Sequence, residues 1–292
     1  MAEGTGGSAV TGAGAFDRDT AVHLQRADAG ASSFAATVAD GWQAGRGPHG
    51  GYLAAMLLRA LTLALADASR SPRSLTIHFL KAPEPGPVLI DTVLERSGRS
   101  LSSMSARMQQ HGAPVALALG AFSKPWTGPE ISELRMPDVE PPAPDRRAGT
   151  LIAPEHGGPS FAKHITLQHR FGELPFAAPG STMETGGWIG LAQPRALDAL
   201  SLAFFADALI PTPFMHLHDF APAPTIDITI HFRTALAPRP AAGRPAGDPS
   251  QLVLAHGRAL LVHEGFFEED CLIWAADGTL LAQSRQLALL LG

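Results

Sequence analysis

Asp207 is the residue of this 292-residue chain whose setting most suggests chemistry. It follows Phe204-Phe205-Ala206 and precedes Ala208-Leu209-Ile210, so apolar neighbours flank it on both sides. Poor solvation disfavours the charged carboxylate, raises its pKa and makes it a stronger base near neutral pH. The plainer reading is a helix-terminal acid paired with a loop. Setting an acid among apolar residues is costly, however, unless it serves a purpose.

A second candidate is Gly45-Arg46-Gly47-Pro48-His49-Gly50-Gly51. It satisfies the Gly-x-Gly-x-x-Gly spacing of a dinucleotide-binding loop, but that fingerprint needs a buried strand before it and a parallel βαβ unit around it. Here the preceding Phe34 to Trp42 alternates and includes Asp40, the next strand ends at Lys81, and antiparallel hairpins follow. A helix N-terminus at His49, Gly50 and Gly51, whose N–H groups approach a carbonyl or phosphate oxygen, fits better. A tight turn with no ligand is the alternative.

Other groups carry less. His216-Leu217-His218-Asp219 has metal-like spacing, but Pro211 and Pro213 upstream point to a loop and no further ligand set stands out, so no metal is expected. Cys271, the only cysteine, lies in Cys-Leu-Ile-Trp and reads as a buried strand residue. His78 and His231 occupy equivalent points of an internal repeat and read as structural. There is no Gly-x-Ser-x-Gly nucleophile turn.

That repeat organises the chain. Thr76-Ile77-His78-Phe79 recurs as Thr229-Ile230-His231-Phe232, each in a β-branched run. After the first copy come strand-like segments 88–96, 100–109 and 115–122; after the second come 251–263, 265–275 and 279–290. Turn residues, including Gly98, His111-Gly112 and Asp277-Gly278, separate several of them. Before each copy lies an Ala/Leu-rich segment expected to be helical, 51–68 in the first half and 196–210 in the second, the latter stopped by Pro211. Each half therefore reads as a strand, a long apolar helix and four antiparallel strands. The first helix is too short for a membrane span of about 20 residues and carries Arg59, so it must be buried in protein. The expected fold class is α+β: a tandem hotdog in which two antiparallel sheets each wrap a central helix and meet edge to edge. The expected boundaries are a flexible leader at 1–18, a first domain at 19–125, a linker at 126–158 and a second domain at 159–292. The stretch from Pro238 reads as a long exposed loop.

Composition narrows the function. With 45% hydrophobic and 17% charged residues the chain is globular and rather oily. A net charge of −5 and no basic stripe argue against nucleic acid. One thiol makes no internal disulfide, and the Gly/Ala-rich start lacks the basic and apolar regions of a signal peptide, so a cytoplasmic protein is expected.

Residues 47–60 and 74–122 resemble the N-terminal domain of the acyl-CoA thioesterase II family, notably in Ile77-His78-Phe79-Leu80-Lys81-Ala82-Pro83 followed by Gly98-Arg99-Ser100. The second half resembles that family's C-terminal domain from Gly187-Trp188-Ile189 onward. The resemblance implies acyl-CoA hydrolysis by an activated water, with no cofactor, in a protein commonly found as a homodimer. It also implies a catalytic Asp, Thr and Gln, which fall on Asp207, Thr225 and Gln286. Leu287-Ala288 departs from the family's Glu-Gly at this point, which leaves Gln283 as the alternative amide. Two other functions stay open. A hotdog hydratase or dehydratase would need an Asp-x-Asn-Pro-x-His pattern that is not found after Asp207. A non-catalytic acyl-CoA-binding module would keep the groove without the chemistry.

Overall fold

In a computed structural model of the chain, residues 14–146, 158–176, 180–236 and 252–291 are described. The first half runs α1 (Ala15–Asp19), β1 (Val22–Asp28), β2 (Ala31–Val38), α2 (Gly50–Leu65), β3 (Ser71–Phe79), β4 (Gly86–Ser97), β5 (Leu101–Gln110) and β6 (Ala113–Ser123). The second runs β7 (Ile165–Phe171), β8 (Glu184–Leu191), α3 (Ala199–Phe205), β9 (Thr225–Phe232), β10 (Val253–Arg258), the short β11 (Val262–His263), β12 (Phe266–Trp274) and β13 (Leu280–Leu289).

All the strands join one antiparallel sheet in the order β1-β2-β4-β5-β6-β3-β9-β13-β12-β10-β8-β7, with β11 on β12. The two halves meet where β3 pairs with β9, and Thr76 stands directly opposite Thr229. The hydroxyl oxygens of these two threonines lie 3.0 Å apart. The repeated tetrapeptide thus lies at the centre of an approximate two-fold. His78 and His231 point outward from it and are exposed.

The sheet curls around α2, whose Tyr52 to Leu58 and Ala60 to Leu61 are almost wholly buried. This is the tandem hotdog fold, with one apolar core running through both halves. An aromatic stack crosses the join: Trp42 lies between Tyr52 at 5.0 Å and His164, from the second half, at 4.0 Å.

Three expectations need correction. Two strands, not one, precede each helix. β1 was missed because six of its seven residues are exposed, so it shows no inside–outside alternation. β7 was missed as well. The second helix covers 199–205 rather than 196–210: Asp198 caps it, accepting from Ser201 N at 2.9 Å, and the chain leaves the helix after Phe205. The segment after it is buried without being helical. The last residues of the expected leader form α1, where Phe16 is buried and Asp17 bonds Arg195 at 3.0 Å.

The expected linker carries no helix or strand over 124–140, and its later part, from Met136, packs against β7 and β8. There the Trp188 indole donates to the Glu140 carbonyl, and Gln168 Nε2 donates to the Asp145 carbonyl. The proline-rich loop from Pro238, most of the leader and residues 147–157 lie outside the described residues. No described helix is long and apolar enough to cross a membrane.

Candidate active site

The site forms where the N-terminus of α2 meets the turn that ends α3. His49 caps α2, its Nδ1 accepting from Tyr52 N at 3.3 Å. Gly50 and Gly51 open the helix where its neighbours crowd closest, against backbone at Gly51 and against side-chain ends at Gly50. A Cβ on Gly51 would stand 2.5 Å from the Phe204 carbonyl oxygen, and one on Gly50 would stand 2.8 Å from Asp207 Oδ2. Helix and turn therefore approach backbone to backbone.

Asp207 lies two residues past α3, not within it. Its Oδ2 accepts from Gly51 N at 2.7 Å. A carboxylate at a helix N-terminus is favoured by the helix dipole and by the N–H bond. Burial outweighs both and raises the Asp207 pKa to about 7, with Glu269 adding a like-charge contribution. His49 Nδ1 is 3.7 Å from the same oxygen. Burial lowers the His49 pKa to about 3, so this is a contact with a neutral ring and not an ion pair.

Thr225 is the first residue of β9, and Gln286 lies near the end of β13. The Thr225 hydroxyl donates to Gln286 Oε1 at 2.8 Å. Alternation along β13 separates the two candidate amides: Gln286 is buried facing inward, whereas Gln283 lies on the opposite face, paired with exposed His231. Gln286 is thus the amide that meets Thr225. Ser284, two residues earlier on the inward face, donates to the Ala206 carbonyl at 3.2 Å and fastens the Asp207 turn against β13.

Two contributors were not anticipated, Ser284 and Glu269. Glu269 is 4% exposed in β12 and bonds Gln286. Its signal was available: Phe267, Glu269, Cys271 and Ile273 alternate with outward residues, which puts the acid on the inward face. Cys271 is buried as expected.

The internal two-fold shows how one-sided the site is. Thr225 lies four residues before Thr229; the residue four before Thr76 is Pro72. Gln286 pairs with Ile228, and in the first half Gly120 pairs with the equivalent Leu75. Only the second half carries the polar groups.

Fold and site together define a double-hotdog protein in which a buried polar cluster around Asp207, Gln286 and Glu269 lies at the join of its halves. Residues 38–123 match the acyl-CoA thioesterase N-terminal domain, and residues 137–290 match the acyl-CoA thioesterase C-terminal domain. The chain therefore belongs to this acyl-CoA thioesterase family and is a hydrolase acting on thioester bonds. Human acyl-coenzyme A thioesterase 8 is 32% identical over 95 residues, which is 32% of this chain and 30% of that protein. The uncharacterized protein Rv0499 of Mycobacterium tuberculosis is 25% identical over 92% of this chain and 97% of its own. Among solved structures, a conserved hot dog protein of unknown function from Alicyclobacillus acidocaldarius superposes with a TM-score of 0.80 at 26% identity, covering 96% of this chain and 99% of that one. An acyl-CoA thioesterase II from Mycobacterium marinum reaches 0.68 at 15% identity over 94% and 96% of the two chains, a likeness of fold.

Proposed function

We propose that the protein hydrolyses acyl-CoA to a free acid and CoA, with Asp207 as the general base toward water. The observation that carries this reading is a buried carboxylate with its pKa near 7, held at 2.7 Å from Gly51 N at the helix start. A base poised near the working pH combines a substantial deprotonated fraction with useful proton affinity.

The water oxygen attacks the thioester carbon while its proton passes to Asp207. Thr225 and Gln286 orient that water, the threonine oxygen accepting its second proton as a hydrogen bond. The developing oxyanion faces the Gly50 N–H at the open end of α2, with His49 lining the approach. Collapse breaks the carbon–sulfur bond, and the proton on Asp207 goes to the leaving CoA sulfur. No covalent enzyme intermediate is needed.

On the same reading, residues 19–125 and 159–292 are the two hotdog domains, and the enzyme works in the cytoplasm as a homodimer. Val93 and Leu119, exposed on the outer face of the sheet, are available to a second copy. The test is thiol release across a panel of acyl-CoAs with wild type and Asp207→Asn. Turnover by wild type with little by the variant is expected. Tight binding without release by wild type would make the protein a binding module, and near-wild-type turnover by Asp207→Asn would remove Asp207 from the mechanism.

A further inference from the structure

Glu269 is a buried acid that this mechanism leaves unused. It faces Gln286 across the β12–β13 ladder. Its two oxygens have different partners: Oε2 accepts from Thr212 N at 2.8 Å, and Oε1 accepts from Gln286 Nε2 at 3.1 Å. Gln286 Oε1 in turn accepts from Thr225 at 2.8 Å.

The two ends of an amide are alike in shape and opposite in hydrogen-bonding sense. Turning Gln286 over would set its carbonyl against a carboxylate oxygen, two acceptors face to face. Glu269 therefore decides which end of Gln286 meets Thr225.

Nothing in the fold requires an acid at that place. Gly120 is the first-half counterpart of Gln286, and Met104 pairs with it as Glu269 pairs with Gln286. Met104 is buried at 2% exposure, so the same sheet position packs well with an apolar side chain. Burying a carboxylate instead carries a desolvation cost that the first half avoids.

We propose that Glu269 is a positioning residue: it locks the Gln286 amide with its carbonyl toward Thr225 and its remaining N–H toward the groove, and it acts as a like charge toward Asp207. This rests on the assignment of Asp207, Thr225 and Gln286 as the reacting set. The titratable groups acting on Asp207 are His49 at the start of α2, and Glu269 and Cys271 on β12. His49 is neutral because burial lowers its pKa to about 3, and burial pushes the Cys271 thiol up. Burial raises the Glu269 pKa as well, and in its ionised form it is the like charge that acts on Asp207.

The test is thiol-release kinetics against pH with the best acyl-CoA of the panel. Glu269→Gln should lower kcat about 10²-fold with little change in KM, the size of effect seen when one oriented donor is lost. The acid limb of kcat/KM should move to lower pH, since a like charge near Asp207 has gone. In a Gln286→Ala background the same substitution should cost little more in the pH-independent kcat while still moving the acid limb, because the orienting effect acts through that amide and the charge acts on Asp207 directly. Glu269→Met copies the side chain found at the equivalent place in the first half, and it carries the test if the Gln variant does not fold. Near-wild-type turnover, an unmoved acid limb or additive losses in the double variant would overturn the proposal. Full activity in Asp207→Asn and Gln286→Ala would overturn the assignment beneath it instead.

Discussion

Gly51 and Asp207, 156 residues apart in the chain, share a hydrogen bond of 2.7 Å between backbone N–H and carboxylate. The donor belongs to the first half and the acceptor to the second, so the proposed chemistry requires the two halves to be joined correctly. Four expectations follow from this contact and its neighbours.

Activity should rise with pH through about 7. Asp207 acts as a base only when deprotonated, and its pKa is raised to about 7 by burial first and by Glu269 in addition. Below that value log kcat/KM should climb with unit slope. No limb should belong to His49, which burial holds neutral with a pKa of about 3. Asp207→Asn should lose about 10²–10⁴-fold in kcat, the range of a general base. A pH–rate profile flat from 5 to 9 would contradict the assignment.

The same burial makes Asp207 a stability liability at high pH. Its pKa rises from the ordinary 3.8 to about 7 in the folded state, so the folded state holds an extra proton between those values. Stability from this group is fully present below about 4 and lost as pH rises through about 7. A rise of that size corresponds to on the order of 4 kcal/mol. Asp207→Asn does not titrate, so its melting temperature should exceed that of wild type at pH 8 by more than at pH 5. Equal differences at both pH values would show that the carboxylate is better solvated than its surroundings imply.

Alanine at the two glycines should separate stability from activity. In Gly51→Ala the new methyl would lie 2.5 Å from the Phe204 backbone carbonyl, so α2 and α3 must part. A loss of about 1–3 kcal/mol or more is expected in denaturant unfolding. In Gly50→Ala it would meet Asp207 Oδ2 at 2.8 Å and the Phe79 ring at 3.1 Å, both ends of side chains that can move. That variant should fold nearly as well as wild type yet lose turnover, because the carboxylate is displaced.

Thr225→Val removes the hydroxyl that donates to Gln286 Oε1 at 2.8 Å while nearly preserving shape. A loss of about 10²-fold in kcat is expected, and Thr225→Ser should restore most of it. Equal activity in Val and Ser variants would show that the threonine only packs.

What the sequence revealed and what it hid have physical causes. The repeat at Thr76 and Thr229 was legible because paired central strands are β-branched and alternate, and that signal is local. Asp207 stood out for its apolar neighbours, yet its helix was drawn eight residues too long (15 expected against 7), since a buried turn and a buried helix share a composition. The cap at Asp198 with Ser201 three residues on was the missed start signal. Glu269 was hidden in the run Glu268-Glu269-Asp270, which looks like a solvated stretch until alternation is followed. Gln283 and Gln286 could not be told apart by type, but their odd spacing put them on opposite faces.

Pro72, Gly120 and Met104 stand in the first half where Thr225, Gln286 and Glu269 stand in the second. On the proposed reading, the doubled scaffold carries one working centre among the described residues. Each polypeptide should accordingly take up a single equivalent of an uncleavable thioether analogue, and a calorimetric titration would saturate at one. On that reading the earlier copy, freed from turnover, is the wall against which its sibling works.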